Sequence, residues 1–206
     1  MKKMFCLILP VVLITSGCCF NSDSPKTEYF TVSGQSEHSQ YNYHIDIAPF
    51  TIDQLYGSKM VFLREPNSVF FDSYNRWAQT PDKLVTSYFN TFFNNPASQS
   101  LEKSIIPIRL NAEIFKFECN LTNKECLLCM KVTATNTSDN TKLFTQVFTE
   151  KLQMNKLTAS SFANSMARAV TAVAGKIDTK INYIYEHNPK KKVRGNGTST
   201  TPESSR

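Results

Sequence analysis

Residues 108–152, IRLNAEIFKFECNLTNKECLLCMKVTATNTSDNTKLFTQVFTEKL, decide the fold of this chain. Three stretches rich in apolar residues run from Ile108 to Cys119, from Glu125 to Thr135 and from Lys142 to Leu152, and polar turns separate them. Such stretches predict three consecutive antiparallel strands. In the first stretch the apolar positions change phase at Ile114. Because a one-residue slip exchanges the two faces of a sheet, we predict a β-bulge there.

Two amphipathic helices are predicted to cover this sheet. Thr80-Pro81-Asp82 is typical of a helix start, with a hydroxyl to cap free N–H groups, a proline with preset φ and an acid at the positive end of the dipole. A longer helix is predicted from Ser160 to about Glu186. The apolar stripes of the two helices are typical of a buried core, and a lipid-lining cavity wall is the alternative. They comprise Leu84, Val85, Tyr88, Phe89 and Phe92 in the first helix and Phe162, Met166, Ala169, Val170, Val173, Ile177, Ile181 and Ile184 in the second.

Shorter strands are predicted before the first helix. They cover Tyr29 to Val32, an alternating stretch from Tyr41 to Ile47, and a hairpin of Met60 to Arg64 with Ser68 to Asp72. Together with the elements above, they predict one α/β domain that spans residues 41–187, with a sheet packed by two main helices.

The first 17 residues have the three parts of a secretory signal: two lysines, an apolar run from Met4 to Ile14, and small residues. The run is too short to cross a hydrocarbon core as a helix. Residues 14–18, ITSGC, resemble a bacterial lipobox, in which Cys18 is diacylated and becomes the mature N-terminus. We therefore expect a membrane anchor at Cys18, and an ordinary cleaved signal is the alternative. The residue after Cys18 is not Asp, which resembles the sorting of enteric-type lipoproteins to the outer membrane.

The formal net charge of +6 lies at the two ends of the chain. Lys2 and Lys3 belong to the predicted signal, and residues 187–206 carry five basic residues against one acid. The segment between them has 16 basic and 16 acidic residues. This distribution removes the case for a nucleic-acid partner. We expect residues 18–40 to be a polar tether with one short strand and residues 188–206 to be a disordered basic tail.

No catalytic set is apparent in the sequence. His38, His44 and His187 are the only histidines, and none lies in a recognisable nucleophile–base motif. Motifs for phosphate, zinc-protease or calcium chemistry are absent. We therefore expect a protein that is not an enzyme and holds no cofactor; a periplasmic hydrolase is the alternative.

Cys119, Cys126 and Cys129 form the one cluster that suggests a metal site. Cys126 and Cys129 have the CxxC spacing, but a structural zinc site needs four ligands and no fourth lies nearby. We therefore predict no metal site. Cys119 and Cys126 flank a hairpin turn, so that either a disulfide between them or buried free thiols fits an exported protein.

Residues 74–78, YNRWA, hold the only tryptophan. Trp77 closes the end of the core in one interpretation and anchors a partner in the other, since Trp, Tyr and Arg dominate interface energies. The sequence leaves both open.

The order of these features resembles the ABC-type transport auxiliary lipoproteins, the lipoprotein partners of MCE (mammalian cell entry) lipid-transport systems. The resemblance covers about residues 14–186, and its most specific part is the Asn75-Arg76-Trp77-Ala78 motif before a helix. Further matching segments are the lipobox, Tyr29 to Val32, Ile45 to Phe50, Leu55, the strand that ends at Arg64, Asn67, Ala112 to Glu118, Lys142 to Lys151 and Ser160 to Ile184.

This resemblance implies a three-layer domain with a mixed sheet, similar to the amino-terminal domain of TolB and to anticodon-binding folds. It implies a lipid-anchored protein on the periplasmic face of the outer membrane that docks with an MCE-domain protein and has no catalytic residues. Arg64, Asn67, Arg76 and Trp77 correspond to the family's hallmark positions and are expected at the core edge and the docking face. A TolB-like or CsgG-like assembly or secretion factor is the alternative, and self-association stays open.

Overall fold

A computed structural model describes residues 25–33, 38–39, 45–65, 67–94 and 107–187 of the chain. Within these residues no helix is both long and apolar enough to span a membrane. The helices are α1 (Pro81–Phe93) and α2 (Ala159–His187). The strands are β1 (Glu28–Phe30), β2 (Ile45–Ile47), β3 (Thr51–Ile52), β4 (Lys59–Glu65), β5 (Ser68–Trp77), β6 (Ile108–Asn120), β7 (Glu125–Asn136) and β8 (Lys142–Gln153).

The eight strands form one mixed sheet in the order β1-β5-β4-β6-β7-β8. The long pairs β6–β7 and β7–β8 and the hairpin β4–β5 are antiparallel. On its other side, β6 pairs in parallel with β2, then β3, then β4 along its length. β1 pairs in parallel with the end of β5. The described sheet therefore ends in a three-residue strand on one side and a twelve-residue strand on the other.

The predicted β-bulge is confirmed in β6. Ile114 lies opposite Met130, but the next paired residue, Lys116, lies opposite Cys129, so that Phe115 is the inserted residue. Before the bulge, Ile114 and the alternate residues that precede it point toward the core, and after it Phe117 does so. The change of phase in the apolar pattern thus results from the β-bulge at Phe115.

The predicted fold class is confirmed: a single α/β domain in which a mixed, mostly antiparallel sheet is packed by two main helices. Both helices lie on the same face, because the Tyr88 hydroxyl of α1 lies 2.7 Å from the Thr171 hydroxyl of α2. The helix-facing residues of β7 are buried, whereas the alternate residues are partly exposed. Helices and sheet therefore make two layers where the family resemblance implied three.

Part of the opposite face is covered by the segment between β3 and β4. Tyr56 lies over β6, where its hydroxyl donates a 2.7 Å hydrogen bond to the Glu118 carboxylate. Lys116 pairs with the same carboxylate at 3.2 Å. Glu118 is buried, and burial together with the bond to Glu118 raises the pKa of Tyr56 above its usual range. Among the described residues, the part of this face that nothing covers lies mainly over β7 and β8.

Helix α1 begins where the sequence predicts, but its cap differs. Pro81 occupies the first turn, while the Thr80 side chain makes no capping hydrogen bond. Instead, the Thr80 carbonyl accepts the N–H of Leu84 at 3.1 Å. The expectation that a hydroxyl caps this helix is therefore wrong, and the proline and the dipole contribution of Asp82 remain.

The predicted strand ends shift where backbone pairing outweighs local pattern. The second hairpin strand extends to Trp77. Lys59 pairs with Arg76 and Val61 pairs with Phe71, so the register shift between these two pairs accommodates residues 72–75 of β5. Of the strand predicted from Tyr41, only residues 45–47 belong to the described part. Cys18, the signal and the basic tail also lie outside the described residues.

Candidate functional site

A cleft of about 480 Å³ opens on the helix side of the sheet, between β1, β5 and the start of α2. Apolar side chains form part of its lining, and among them Phe70 is 44% exposed and Leu157 is 48% exposed. The acidic side chains of Glu28 and Asp72 also line it. The other lining residues are Phe30, Phe62, Asn75, Leu121, Thr158, Ala159 and Ser160. The cleft therefore has a mixed apolar and polar lining with two acidic side chains.

A tight turn within β5 positions Asp72. Its carboxylate accepts the backbone N–H groups of Tyr74 at 2.8 Å and of Asn75 at 2.9 Å, and the Asn75 side chain donates to it at 2.8 Å. Partial burial alone would raise the pKa of Asp72, but these three donors outweigh it and lower the pKa below the ordinary value. Asp72 is therefore ionised at neutral pH.

The chemistry of the cleft suits the binding of a cation beside an apolar group. The lining residues include no histidine, cysteine or lysine, while Thr158 and Ser160 contribute hydroxyls. Exposed phenylalanine and leucine side chains beside the ionised carboxylate of Asp72 suit an apolar group that carries a neighbouring cation. The cleft can therefore hold a lysine or arginine side chain next to an apolar one.

Two of the hallmark positions lie in the β4–β5 hairpin, one strand of which contributes Phe70 to the cleft. The guanidinium of Arg64 lies over the Phe70 ring, 5.8 Å from its centroid, and the Arg64 carbonyl accepts the Thr122 hydroxyl at 2.6 Å. Asn67 is exposed in the hairpin turn. Arg64 thus supports a wall of the cleft, and Asn67 lies at the outer tip of the hairpin.

The other two hallmark positions have opposite environments. Trp77 is 1% exposed and packs edge-on against Phe117 and Phe162, with ring centroids 5.1 and 5.4 Å away. Its neighbour Arg76 is partly exposed and lies in register with Lys59 of β4. The indole Nε1 of Trp77 and the Nε of Arg76 have no hydrogen-bond partner among the described residues. In this conformation Trp77 closes the core, as in the first interpretation, and its ring is not accessible to a partner.

Cys119 and Cys126 lie directly opposite each other on β6 and β7, and both are buried free thiols. Cys129 lies three residues after Cys126, on the other face of the strand, because side chains alternate with a period of two. It accepts the Thr149 hydroxyl at 3.4 Å. The three cysteines therefore do not converge, and no group of three or more His, Cys, Asp or Glu side chains within the described ranges could hold a metal ion.

Burial controls the ionisation of the two opposed thiols. It raises the pKa of Cys119 to about 12, with a smaller contribution from Cys126, and it raises the pKa of Cys126 to about 11. Both thiols are consequently protonated at neutral pH and unreactive. The alignment that the sequence suggested for a disulfide is present, while the bond itself is not.

The segment that precedes β2 is hydrogen-bonded to both helices through Ser39. The backbone N–H of Ser39 donates to the Phe92 carbonyl of α1 at 2.9 Å, and its hydroxyl donates to the buried Asp178 carboxylate of α2 at 2.6 Å. This contact could not be predicted from the sequence, since a serine in a polar stretch is normally solvated. It shows that the predicted tether is bound to the domain at residue 39 as well as at β1.

The lining of the cleft was also not predicted. Phe70 and Asp72 fall in a strand whose pattern is ordinary, and Leu157 lies in a short loop, so that only the register shift in β5 brings them together. An Asp three residues before an Asn was the one local signal available. The apolar stripes of both helices, by contrast, are buried in the core and line neither this cleft nor a lipid cavity in the described part of the chain.

Comparisons with known proteins give similarity in fold. The chain matches no protein-family model and no curated protein sequence. The crystal structure of a Xanthomonas campestris protein of the family DUF330 is similar, with a TM-score of 0.65 and 12% identity over 80% of this chain and 99% of that one. The crystal structure of an uncharacterized protein is similar at a TM-score of 0.59 and 11% identity, over 76% and 99% of the two chains. At these identities the fold is shared, and nothing further follows.

Proposed function

We propose that this chain is a lipid-anchored, non-catalytic subunit of an MCE-type ABC transport system that moves lipid between membranes. In this role it is held at Cys18 on the periplasmic face of the outer membrane and docks with an MCE-domain protein. The sequence resemblance supplies the family, and the structure supplies a binding surface that suits such a role.

The acidic cleft is the observation that carries the proposal. It joins exposed apolar side chains, Phe70 and Leu157, with an ionised carboxylate, Asp72. These are the features of a docking surface for a protein segment with an apolar and a cationic side chain. We expect the MCE-domain protein to supply that segment.

The short distance along the chain between the anchor and the cleft also supports this role. Ten residues separate Cys18 from Glu28, which begins β1 and lines the cleft. Even fully extended, ten residues span at most about 35 Å. An acylated Cys18 would therefore hold the cleft near the bilayer surface, where a lipid-transporting partner must deliver or collect its cargo.

The test is co-purification of the full-length chain from detergent-solubilised membranes with an MCE-domain protein of the same cell. Phe70→Asp should lower recovery of that protein at least tenfold, because it places a charge on the apolar wall of the cleft. Phe115→Asp is the matched control, since Phe115 is 40% exposed but lies on the opposite face of the sheet. Recovery is expected to be unchanged with this control.

Three outcomes would overturn the proposal. One is recovery of the MCE-domain protein no higher than with an unrelated lipoprotein, and another is full recovery with Phe70→Asp. The third is specific recovery of outer-membrane assembly or secretion components in its place, which would favour the TolB-like or CsgG-like alternative. Stoichiometric phospholipid in the purified chain after detergent exchange would add lipid carriage to docking, which the buried helix stripes do not support.

A further inference from the structure

The strand β8 is a long edge of the described sheet. It pairs with β7 with one register shift, at Leu143, and no described strand pairs with its other side. Natural proteins protect such edges with short strands, charges, proline or bulges. The middle of β8, residues 143–149, reads LFTQVFT: seven residues with no charge, no proline and no glycine. Every second backbone N–H and C=O group of this stretch therefore points away from the sheet.

A groove of about 540 Å³ follows this edge on the helix side. Residues 146–150 of β8 form one wall and four residues of α2 form the other: Lys176, Thr179, Lys180 and Tyr183. Tyr183 is 61% exposed and offers apolar surface in the groove. Val147, which is 52% exposed, lies on the opposite face of the same edge, because it is in register with Lys131 of β7. A strand added to β8 would place alternate side chains in this groove.

The charges along the groove specify the added strand. Lys176 forms an ion pair with Glu150, which neutralises the acid within the groove, and Lys180 lies over the Phe144 ring at 5.3 Å from the centroid. The positive charge of Lys180 is therefore left without a carboxylate among the residues that line the groove. An incoming strand with apolar and acidic side chains complements this surface.

A second copy of this chain is a poorer occupant. Antiparallel pairing of two β8 edges relates the copies by a twofold axis perpendicular to the sheet, so that both α2 helices lie on one face. Lys176 and Lys180 of one copy would then face the same lysines of the other. Like charges in this arrangement are unfavourable.

We propose that β8 is a strand-addition site that pairs with an extended, acidic and apolar segment of a partner protein. Main-chain hydrogen bonds along β8 supply affinity, and the groove beside Lys180 supplies selectivity for the acid. This strand-addition site is separate from the docking cleft. It rests on the proposed function only because a transport subunit would have a partner protein to bind. It concerns the opposite edge of the sheet from β1.

The test uses the full-length chain in detergent micelles and a nine-residue synthetic peptide of alternating valine and glutamate. Hydrogen–deuterium exchange of residues 142–153 should slow at least tenfold on addition of the peptide, while exchange of residues 68–77 stays unchanged. A peptide of alternating valine and lysine should bind at least tenfold more weakly. A valine–glutamate peptide that is N-methylated at every residue should not bind, because it cannot donate main-chain hydrogen bonds from either edge.

Matched variants locate the site on the protein. Val147→Asp should weaken the valine–glutamate peptide at least tenfold, whereas Val69→Asp, at a site that is 43% exposed on β5, should leave its affinity unchanged. Lys180→Glu should reverse the preference between the glutamate and the lysine peptides. These variants alter exposed or partly exposed side chains, so that thermal unfolding of each should match the unsubstituted chain.

Peptide binding that leaves exchange of β8 unchanged, or that persists when every residue of the peptide is N-methylated, would overturn the proposal. A second copy of the chain would occupy the edge if hydrogen exchange of β8 were slow without peptide and sedimentation gave a dimeric mass, and if dilution abolished both. That result would overturn the proposal of a partner strand. Loss of MCE-domain recovery with intact peptide binding would overturn the transport role and leave the edge site standing.

Discussion

The two edges of the sheet differ in almost every physical respect. β1 has three residues, pairs in parallel with the end of β5, and borders an acidic cleft. β8 has twelve residues, an uncharged middle and a groove that carries lysines. The short edge offers little main chain to a partner, so recognition there depends on side chains. The long edge offers its main chain, and side chains add only selectivity.

This difference suggests a protein that contacts two partners at once. Five strand spacings separate β1 from β8, which is about 24 Å at the usual distance between neighbouring strands. The acidic cleft and the basic groove thus lie toward opposite edges of the sheet. A subunit with opposite charges at its two edges can bind two components without competition between them.

The largest effect is expected at the β1 edge from Trp77→Ala. Trp77 is fully buried, and its backbone and that of Ala78 bond to Ser58 and Phe30, both at 2.7 Å. Removing a buried indole costs about 3–5 kcal/mol of unfolding free energy. Urea unfolding should show this loss. Hydrogen exchange of residues 28–30 should accelerate more than exchange of residues 142–153, if side-chain packing holds β1 in place.

Two further variants interpret that result. Trp77→Phe should cost much less than Trp77→Ala, because the indole Nε1 has no hydrogen-bond partner in the described part of the chain and the ring contacts are partly kept. Tyr74→Ala, at a half-exposed neighbour on β5, should change stability by less than about 0.5 kcal/mol. Equal acceleration of both edges with Trp77→Ala would contradict the idea that they are held by different means.

The next effect concerns the centre of the sheet, which both edges share. Cys119 and Cys126 are buried thiols with pKa values raised to about 12 and 11, so iodoacetamide should modify them at least a hundredfold more slowly than in the unfolded chain. Because their thiolates form only near these values, modification should stay slow up to about pH 9. Cys129 is partly exposed and serves as the internal reference.

Oxidation would change this pattern in a distinct way. If the exported chain forms a disulfide between Cys119 and Cys126, neither thiol reacts even after unfolding until a reductant is added. Mass spectrometry of the alkylated chain, with and without reductant, separates the two states. Fast modification of either thiol in the native chain would show that the centre of the sheet opens more readily than its burial indicates.

A smaller effect is expected from Tyr56→Phe, which tests the cover of the open face. The variant removes one hydrogen bond to the buried carboxylate of Glu118 but keeps the ring and the ion pair with Lys116. A hydrogen bond to a charged group contributes about 2 kcal/mol. Urea unfolding should show this loss. The half-exposed Tyr74→Phe is the control and should have no measurable effect.

The features that the sequence predicts well are those that repeat. The stripe in α2, the paired strands β6 to β8 and the bulge at Phe115 each follow from apolar periodicity over ten or more residues. The layer arrangement could not be read in this way, because amphipathic stripes say that a helix is buried but not which face of the sheet it covers. The resemblance implied three layers, and only the bond between Tyr88 and Thr171 shows both helices on one face.

The candidate sites depend on features that sequence patterns do not record. The cleft arises from a register shift that places Phe70 and Asp72 beside the start of α2. The free edge arises from the order of strands in the sheet, since β8 reads like any other amphipathic strand. Trp77 illustrates the same limit: its sequence context allowed both a core and an interface role, and burial by Phe117 and Phe162 decides for the core in this conformation.

The smallest effect is expected from Asp72→Asn, which removes the charge of the acidic edge. The pKa of Asp72 is lower in the folded chain than in the unfolded one, so the stability from its ionised form is present above the unfolded pKa and is lost as the pH falls through the folded pKa. Since Asp72 is partly exposed, the contribution at neutral pH is about 0.5 kcal/mol after solvent screening. Urea midpoints of the variant and of the unsubstituted chain should therefore differ at pH 7 and converge at an acidic pH below the pKa of the folded Asp72 carboxyl.

Asp53→Asn is the matched control for this variant. The Asp53 carboxylate accepts one backbone N–H, from Leu55 at 2.8 Å, whereas Asp72 accepts two and a side-chain amide as well. The difference between midpoints at the two pH values should accordingly be larger for Asp72→Asn. Asp72→Asn should also leave hydrogen exchange of residues 142–153 unchanged, because three strands separate β8 from the turn at Asp72. A pH-dependent change at β8 would show that the two edges are coupled and would remove the independence on which a bridging role depends.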